Sequence, residues 1–170
     1  MPAPSDKPRV THRNHEFACK LVWSGSKQGG TTSYADYSRD YRVEFEGKPA
    51  LLGSSAPVFR GNGALHNPED LLVAALSGCH LLSYLALCAR GGVVVVDYGD
   101  DAWGKMENVD GRIRFTEVVL RPKVLISPTS SLATARALHG EAHSLCFIAN
   151  SVNFPVRNEP TVQIAGQGAR

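Results

Sequence analysis

The chain carries four cysteines, Cys19, Cys79, Cys88 and Cys146. A thiol can be a core side chain, a metal ligand or a redox centre, and spacing begins to separate these uses. Cys79 and Cys88 lie in one long apolar run. On a helix that spacing turns them to opposite faces, about 13 Å apart along the axis, so they cannot bond to each other. Cys88 stands among Leu85, Ala86, Leu87 and Ala89, the setting of a small core residue. Cys19 lies among strand formers and reads the same way. Cys79 differs: it follows Ser77-Gly78 and precedes His80, a small, partly polar break in the apolar run. A helical glycine costs about 1 kcal/mol relative to alanine. Close approach by a ligand or another segment would explain Gly78, and so would tight helix packing; the two stand level. Cys146 precedes Phe147-Ile148-Ala149-Asn150. If it opens a helical turn, the free N–H groups there would favour a thiolate; a half-buried core thiol is the alternative.

A second chemistry competes for the same residues. His139, His143 and Cys146 follow at i, i+4 and i+7, one face of a helix, and Cys79-His80 could add a fourth ligand. Sets of this kind bind zinc. The plain counterpart is a partly exposed polar face beside Arg136, and no Cys-x-x-Cys pair strengthens the metal reading.

These residues need elements to hold them. Residues 16–23 and 41–46 read as strands, the second alternating apolar and polar as Tyr-Arg-Val-Glu-Phe-Glu, with a polar turn at 25–30. Residues 49–67, with Gly53, Pro57, Gly61 and Gly63, read as a long irregular loop. A helix start follows: Asn67 as N-cap, Pro68 at the first position, Glu69 and Asp70 in the first turn. Residues 71–89 are apolar on nearly every face, and Arg90-Gly91-Gly92 ends the helix. The run is barely long enough for a membrane span, and Ser77, Gly78, His80 and Ser83 interrupt it, so a helix enclosed in a globular core is expected. Residues 93–106 and 112–126 read as two long strands joined at Asn108-Val109-Asp110-Gly111, whose Asp-Gly pair is a hairpin signal. Ser127-Pro128 is expected to open a second helix, with Ser127 as N-cap, running to about Ser144; a short helix near Cys146 and a final strand over 161–164 follow. The sum is an α+β chain. A helix apolar all round needs cover on every face, and one small sheet supplies one, so a symmetric dimer packing two central helices together is expected.

Composition narrows the class. In 170 residues, 43% are hydrophobic, enough for a core without disulfide staples. The net charge is only +2 and the charges are dispersed, which gives no footprint for nucleic acid. Residues 1–15, polar with three prolines, lack the apolar core of a secretory signal and read as a loose leader to a cytoplasmic domain over 16–170.

Two stretches carry a family resemblance. Asn67-Pro68-Glu69-Asp70-Leu71-Leu72 with Ser77-Gly78-Cys79-His80, and later Ala142-His143-Ser144-Leu145-Cys146-Phe147-Ile148-Ala149-Asn150-Ser151-Val152, resemble the two cysteine motifs of the OsmC/Ohr family, the osmotically inducible and organic hydroperoxide resistance proteins. The likeness spans roughly residues 16–164. It implies an intertwined homodimer in which antiparallel sheets wrap central helices. It also implies a thiol peroxidase with Cys79 peroxidatic, Cys146 resolving, Glu69 orienting an arginine, and Arg60 as that arginine, with Arg39 and Arg42 as fallbacks. Many members carry proline where this chain has Phe147, a departure beside the resolving position.

The implied chemistry is coherent. A thiolate, not a thiol, cleaves a peroxide O–O bond; free thiols ionise near about 8.5 and burial raises that value, so a fixed cation must oppose it. Arginine would stabilise the thiolate and the peroxide oxygens, held by Glu69 through a bidentate pair. Glu69 precedes Cys79 by about 15 Å of straight helix, so either the helix is broken or the Glu69–Arg60 pair comes from the other subunit, the preferred reading. The sulfenic acid on Cys79 would condense with Cys146, and an external dithiol, a lipoyl or thioredoxin-like protein, would reduce the disulfide. Leu76, Leu81, Leu82 and Phe147 suggest a pocket for organic hydroperoxides alongside hydrogen peroxide. No cofactor, membrane or nucleic-acid partner is called for; a non-enzymatic ligand- or zinc-binding protein is the alternative.

Overall fold

The computed structural model describes residues 14–25 and 29–166. Most of the expected leader over 1–15 lies outside these residues, as does 26–28 of the expected turn. The chain forms two compact units that divide between His66 and Asn67.

The first unit is one antiparallel sheet in the order β1 (Lys20–Trp23), β2 (Tyr41–Glu44), β3 (Leu51–Gly53). The first two strands fall within the stretches expected, 16–23 and 41–46, each shorter than its stretch. Cys19 stands just ahead of β1 and is exposed, so it is not the strand residue expected. The stretch 49–67 is not wholly irregular. It contains β3 and a 3-10 turn at Pro57–Phe59, and the Ser54 N–H donates to the His66 carbonyl at 2.9 Å, which closes the loop on itself. Gly61 is required there: a Cβ would sit 1.6 Å from the Ser55 carbonyl oxygen.

The second unit begins with α1 (Pro68–Arg90). Its start is as expected: the Asn67 side chain accepts from the Asp70 N–H at 2.8 Å, and the Asp70 carboxylate accepts from the Asn67 N–H at 3.5 Å. This reciprocal capping box satisfies two donors that the first turn leaves free. The helix is unbroken to Gly91, which caps it. By length and mean hydropathy, 1.9 over an 18-residue window, α1 would pass for a membrane span.

The two long strands expected after α1 each divide. They form β4 (Val95–Asp100) and β5 (Trp103–Val109), then β6 (Arg112–Leu120) and β7 (Pro122–Ile126). The break has a covalent cause: Pro122 brings no N–H to the ladder. The Asp100 carboxylate accepts from the Arg121 N–H at 2.7 Å at the same level. Each half then belongs to its own sheet. β4 and β7 pair antiparallel and β9 (Thr161–Ile164) adds parallel to β7; β5 and β6 pair antiparallel and β8 (Val156–Asn158) adds parallel to β6. The expected turn joins β5 to β6, with Asp110 and Gly111 at φ 54° and 79°, the left-handed pair of a type I′ hairpin. The second helix, α2 (Leu132–Leu145), starts later than expected. Ser131, not Ser127, is its N-cap, accepting from the Thr134 N–H at 3.2 Å. Ser127 accepts from the Ser130 N–H through its carbonyl, in the turn ahead of α2.

The α+β class is as expected, and the chain's own elements cover α1 on one face alone. One face, Leu76, His80, Tyr84, Leu87 and Cys88, is buried. The C-terminal half of that face, with α2 and the β4–β7–β9 sheet, forms one core; Leu76, with Val118, Leu120 and the residues after Cys146, forms another. The opposite face is bare: Leu82 is 69% exposed, and Ala75, Leu85 and Ala86 are exposed with it.

Candidate active site

Cys79 sits midway along α1, and Cys146 is the C-cap of α2. The antiparallel approach of the two helices brings Cys79 and Cys146 beside each other, and neither is in a disulfide. Cys79 is half-buried and Cys146 buried. The segment after Cys146 turns back over both. The Ile148 N–H donates to the Cys79 sulfur at 3.5 Å and the Ala149 N–H to the Cys146 sulfur at 3.4 Å, just before the 3-10 turn Ala149–Ser151.

Of the two readings of Cys146, its surroundings favour the core thiol over the thiolate of a helical turn. Burial, and next the hydrogen bond with Cys79, push the Cys146 thiol up to about 11, and the two amides only partly offset this. Cys146 therefore stays protonated and can donate to Cys79. Phe147, beside it, is 82% exposed. Cys88 is the core residue expected, its thiol pushed up by burial. Gly78 is not crowded by its own chain, for a Cβ there meets nothing within 4 Å.

The zinc reading is corrected. His139 and Cys146 share the buried face of α2, but His139 Nδ1 is turned to His80 Nε2 at 3.0 Å. Among the described residues no group of three His, Cys, Asp or Glu is arranged to hold a metal ion. His143 Nδ1 is buried without a hydrogen-bond partner among the described residues.

Glu69 lies in the first turn of α1, on the same unbroken helix as Cys79, so the broken-helix alternative falls. Its Oε2 is buried and has no hydrogen-bond partner among the described residues. The three candidate arginines belong to the first unit. Arg39 donates to the carbonyls of Tyr34 and Tyr37 and lies over both rings, and Arg42 pairs with Glu44 at 3.0 Å. The Arg60 guanidinium lies over the Tyr34 ring, 5.9 Å away. Arg60 caps the Pro57–Phe59 turn at φ 64°, a left-handed conformation rare for a side chain of its size.

Sequence reasoning passed over a polar layer beside the cysteines. His80 and His139 are buried and bonded to each other, the Tyr84 hydroxyl donates to the Ala135 carbonyl at 3.1 Å, and Ser77 donates to Asp100 at 2.5 Å. Burial holds both imidazoles down to about 4; for His80, Asp100 opposes this and His143 adds to it, and for His139 the neighbouring His80 adds to it. The His80-to-His139 pairing joins residues far apart in sequence, and no spacing rule would reveal it. The signals in the sequence are His80 beside Cys79 and His139 at i−7 from Cys146, a spacing that suits a ligand as well as a hydrogen-bond partner.

A family model described as OsmC-like protein matches residues 61–160. A solved OsmC-like protein of unknown function from Vibrio cholerae is 35% identical and superposes with a TM-score of 0.80 over 87% of this chain and 100% of that one. An organic hydroperoxide resistance protein from Elizabethkingia anophelis is 18% identical, with a TM-score of 0.66 over 91% of this chain and 99% of that one, a likeness of fold. The uncharacterized protein YmaD of Bacillus subtilis is 22% identical over 160 residues, 91% of this chain and 99% of its own length.

Proposed function

The chain belongs to the OsmC-like protein family, and on that premise we propose that it is a thiol peroxidase that reduces organic hydroperoxides, and hydrogen peroxide, with Cys79 and Cys146. The observation that carries the reading is the meeting of two free cysteines from different helices under consecutive amides, the Ile148 N–H donating to the Cys79 sulfur and the Ala149 N–H to the Cys146 sulfur.

In this mechanism the Cys79 thiolate attacks the terminal peroxide oxygen. The O–O bond breaks, the alkoxide takes up a proton and leaves as an alcohol, and Cys79 becomes a sulfenic acid. Cys146 then attacks the Cys79 sulfur. Its S–H proton goes out with the hydroxyl as water as the S–S bond forms. An external dithiol, a lipoyl or thioredoxin-like protein, restores both thiols by exchange.

Arg60 is the proposed cation for the thiolate and the peroxide, since Arg39 and Arg42 are engaged locally. The orphaned Glu69 oxygen supports a carboxylate waiting for a cation, because a buried unpaired carboxylate oxygen is costly. With α1 unbroken, the pair would reach Cys79 from a second copy in a homodimer. The bare face of α1 and the open space at Gly78 suit such a copy. The two units would then serve as one functional domain. The exposed Phe147 ring suits an apolar substrate tail.

The test is peroxide consumption by purified variants. Cys79→Ser is expected to be inactive and Cys146→Ser to turn over once and stop as a sulfenic or overoxidised acid, seen by mass spectrometry. An active Cys79→Ser chain would end the proposal; comparable efficiency with hydrogen peroxide and cumene hydroperoxide would end its substrate preference.

A further inference from the structure

Along the α1–α2 interface two hydrogen bonds follow one another, Tyr84 to the Ala135 carbonyl at 3.1 Å and His80 to His139 at 3.0 Å, and just past the end of α2 the Ile148 N–H donates to the Cys79 sulfur at 3.5 Å. Apolar faces can slide or rotate past each other at little cost, whereas a hydrogen bond is directional. The middle contact is the expensive one. Both imidazoles are buried, and whichever ring donates, the outer nitrogens, His80 Nδ1 and His139 Nε2, have no partner among the described residues. Burial holds both rings neutral, their proton affinity falling to about 4. Two apolar side chains of like size would pack there without that penalty. Stability therefore does not account for the pair. The His139 ring is further pinned by stacking on Tyr84, ring centroids 3.9 Å apart.

We propose that His80 and His139 are positioning residues for the redox pair: their bond fixes the rotation of α1 against α2, so that Cys79, the residue next to His80, is held opposite Cys146. The inference rests on Cys79 and Cys146 as the reacting thiols and concerns the second step, disulfide formation, not peroxide cleavage. Neither imidazole touches substrate in this account.

The test uses the full chain and diamide, which takes two electrons and two protons from a dithiol and leaves a disulfide without peroxide. The rate of Cys79–Cys146 cross-linking is read by alkylation and mass spectrometry, beside the melting temperature. The double variant His80→Leu with His139→Leu is expected to melt at or above wild type yet cross-link roughly tenfold more slowly or worse. The pair His80→Gln with His139→Asn keeps polar atoms near Nε2 and Nδ1 and is expected to cross-link near the wild-type rate. A leucine pair that cross-links as fast as wild type overturns the proposal. So does a Gln/Asn pair as slow as the leucine pair. If the leucine pair does not fold, His139→Leu against His139→Asn is read in the same way. A wild-type chain that cross-links with diamide but consumes no peroxide ends the peroxidase reading and leaves this one standing; one that does not cross-link ends this one.

Discussion

Arg60 holds a left-handed backbone that few arginines adopt, fastened by its N–H to the Pro57 carbonyl and by the Gly61 N–H to the Ala56 carbonyl. Glycine would relieve that strain while gaining freedom in the unfolded chain, so Arg60→Gly is expected to leave stability within about 1 kcal/mol. Peroxide turnover should nevertheless collapse, and Arg60→Lys should not restore it, because a point charge cannot replace a two-pronged donor. A melting curve beside a turnover assay reads both. The buried imidazoles make a different prediction. In the unfolded chain each takes up a proton below about 6.5; in the fold each resists until about 4. Their depressed values mean that stability is full above about 6.5 and is lost as pH falls from there towards 4. Urea midpoints measured across that window should drop steeply in the wild type, and the drop should be shallower in the leucine pair.

At the scale of elements, the capping box of α1 is a discrete support. Asn67→Ala is expected to cost about 1 kcal/mol, a fall of a few degrees in melting temperature, with Asp70→Ala overlapping it rather than adding fully. Elements with strong local signals were legible in the sequence: the Asn67 start of α1, the Asp110-Gly111 hairpin and the strand over 161–164. Elements defined by a partner were not. β3 and β8 have three residues each, too few to show a period, and exist because β2 and β6 offer them edges. The division of the long hairpin at Pro122 was written as a single proline inside a strand pattern. The same holds for the site. Cys79 and Cys146 stood out by motif, but the protonated state of Cys146, the amide given to Cys79 and the His80–His139 bond depend on how α1 and α2 meet.

For the whole molecule, the exposed side of α1 sets the terms. In the proposed dimer, Leu82→Lys would place a charge in the buried seam between two helices. It is expected to yield monomers by sedimentation and to lose peroxide turnover, while circular dichroism keeps its helical signal; a fully active monomeric variant would show that one chain makes its own site. That same apolar strip, 69% exposed at Leu82, also bears on how the protein is made. A newly synthesised chain would fold into a form still carrying greasy surface, and its fate would depend on whom it meets first. Refolding from denaturant should then be second order in its slow phase, the rate climbing with chain concentration until clumping overtakes productive pairing. The yield would pass through a maximum, and a cell that makes the chain too sparsely would risk its capture by chaperones before a mate arrives.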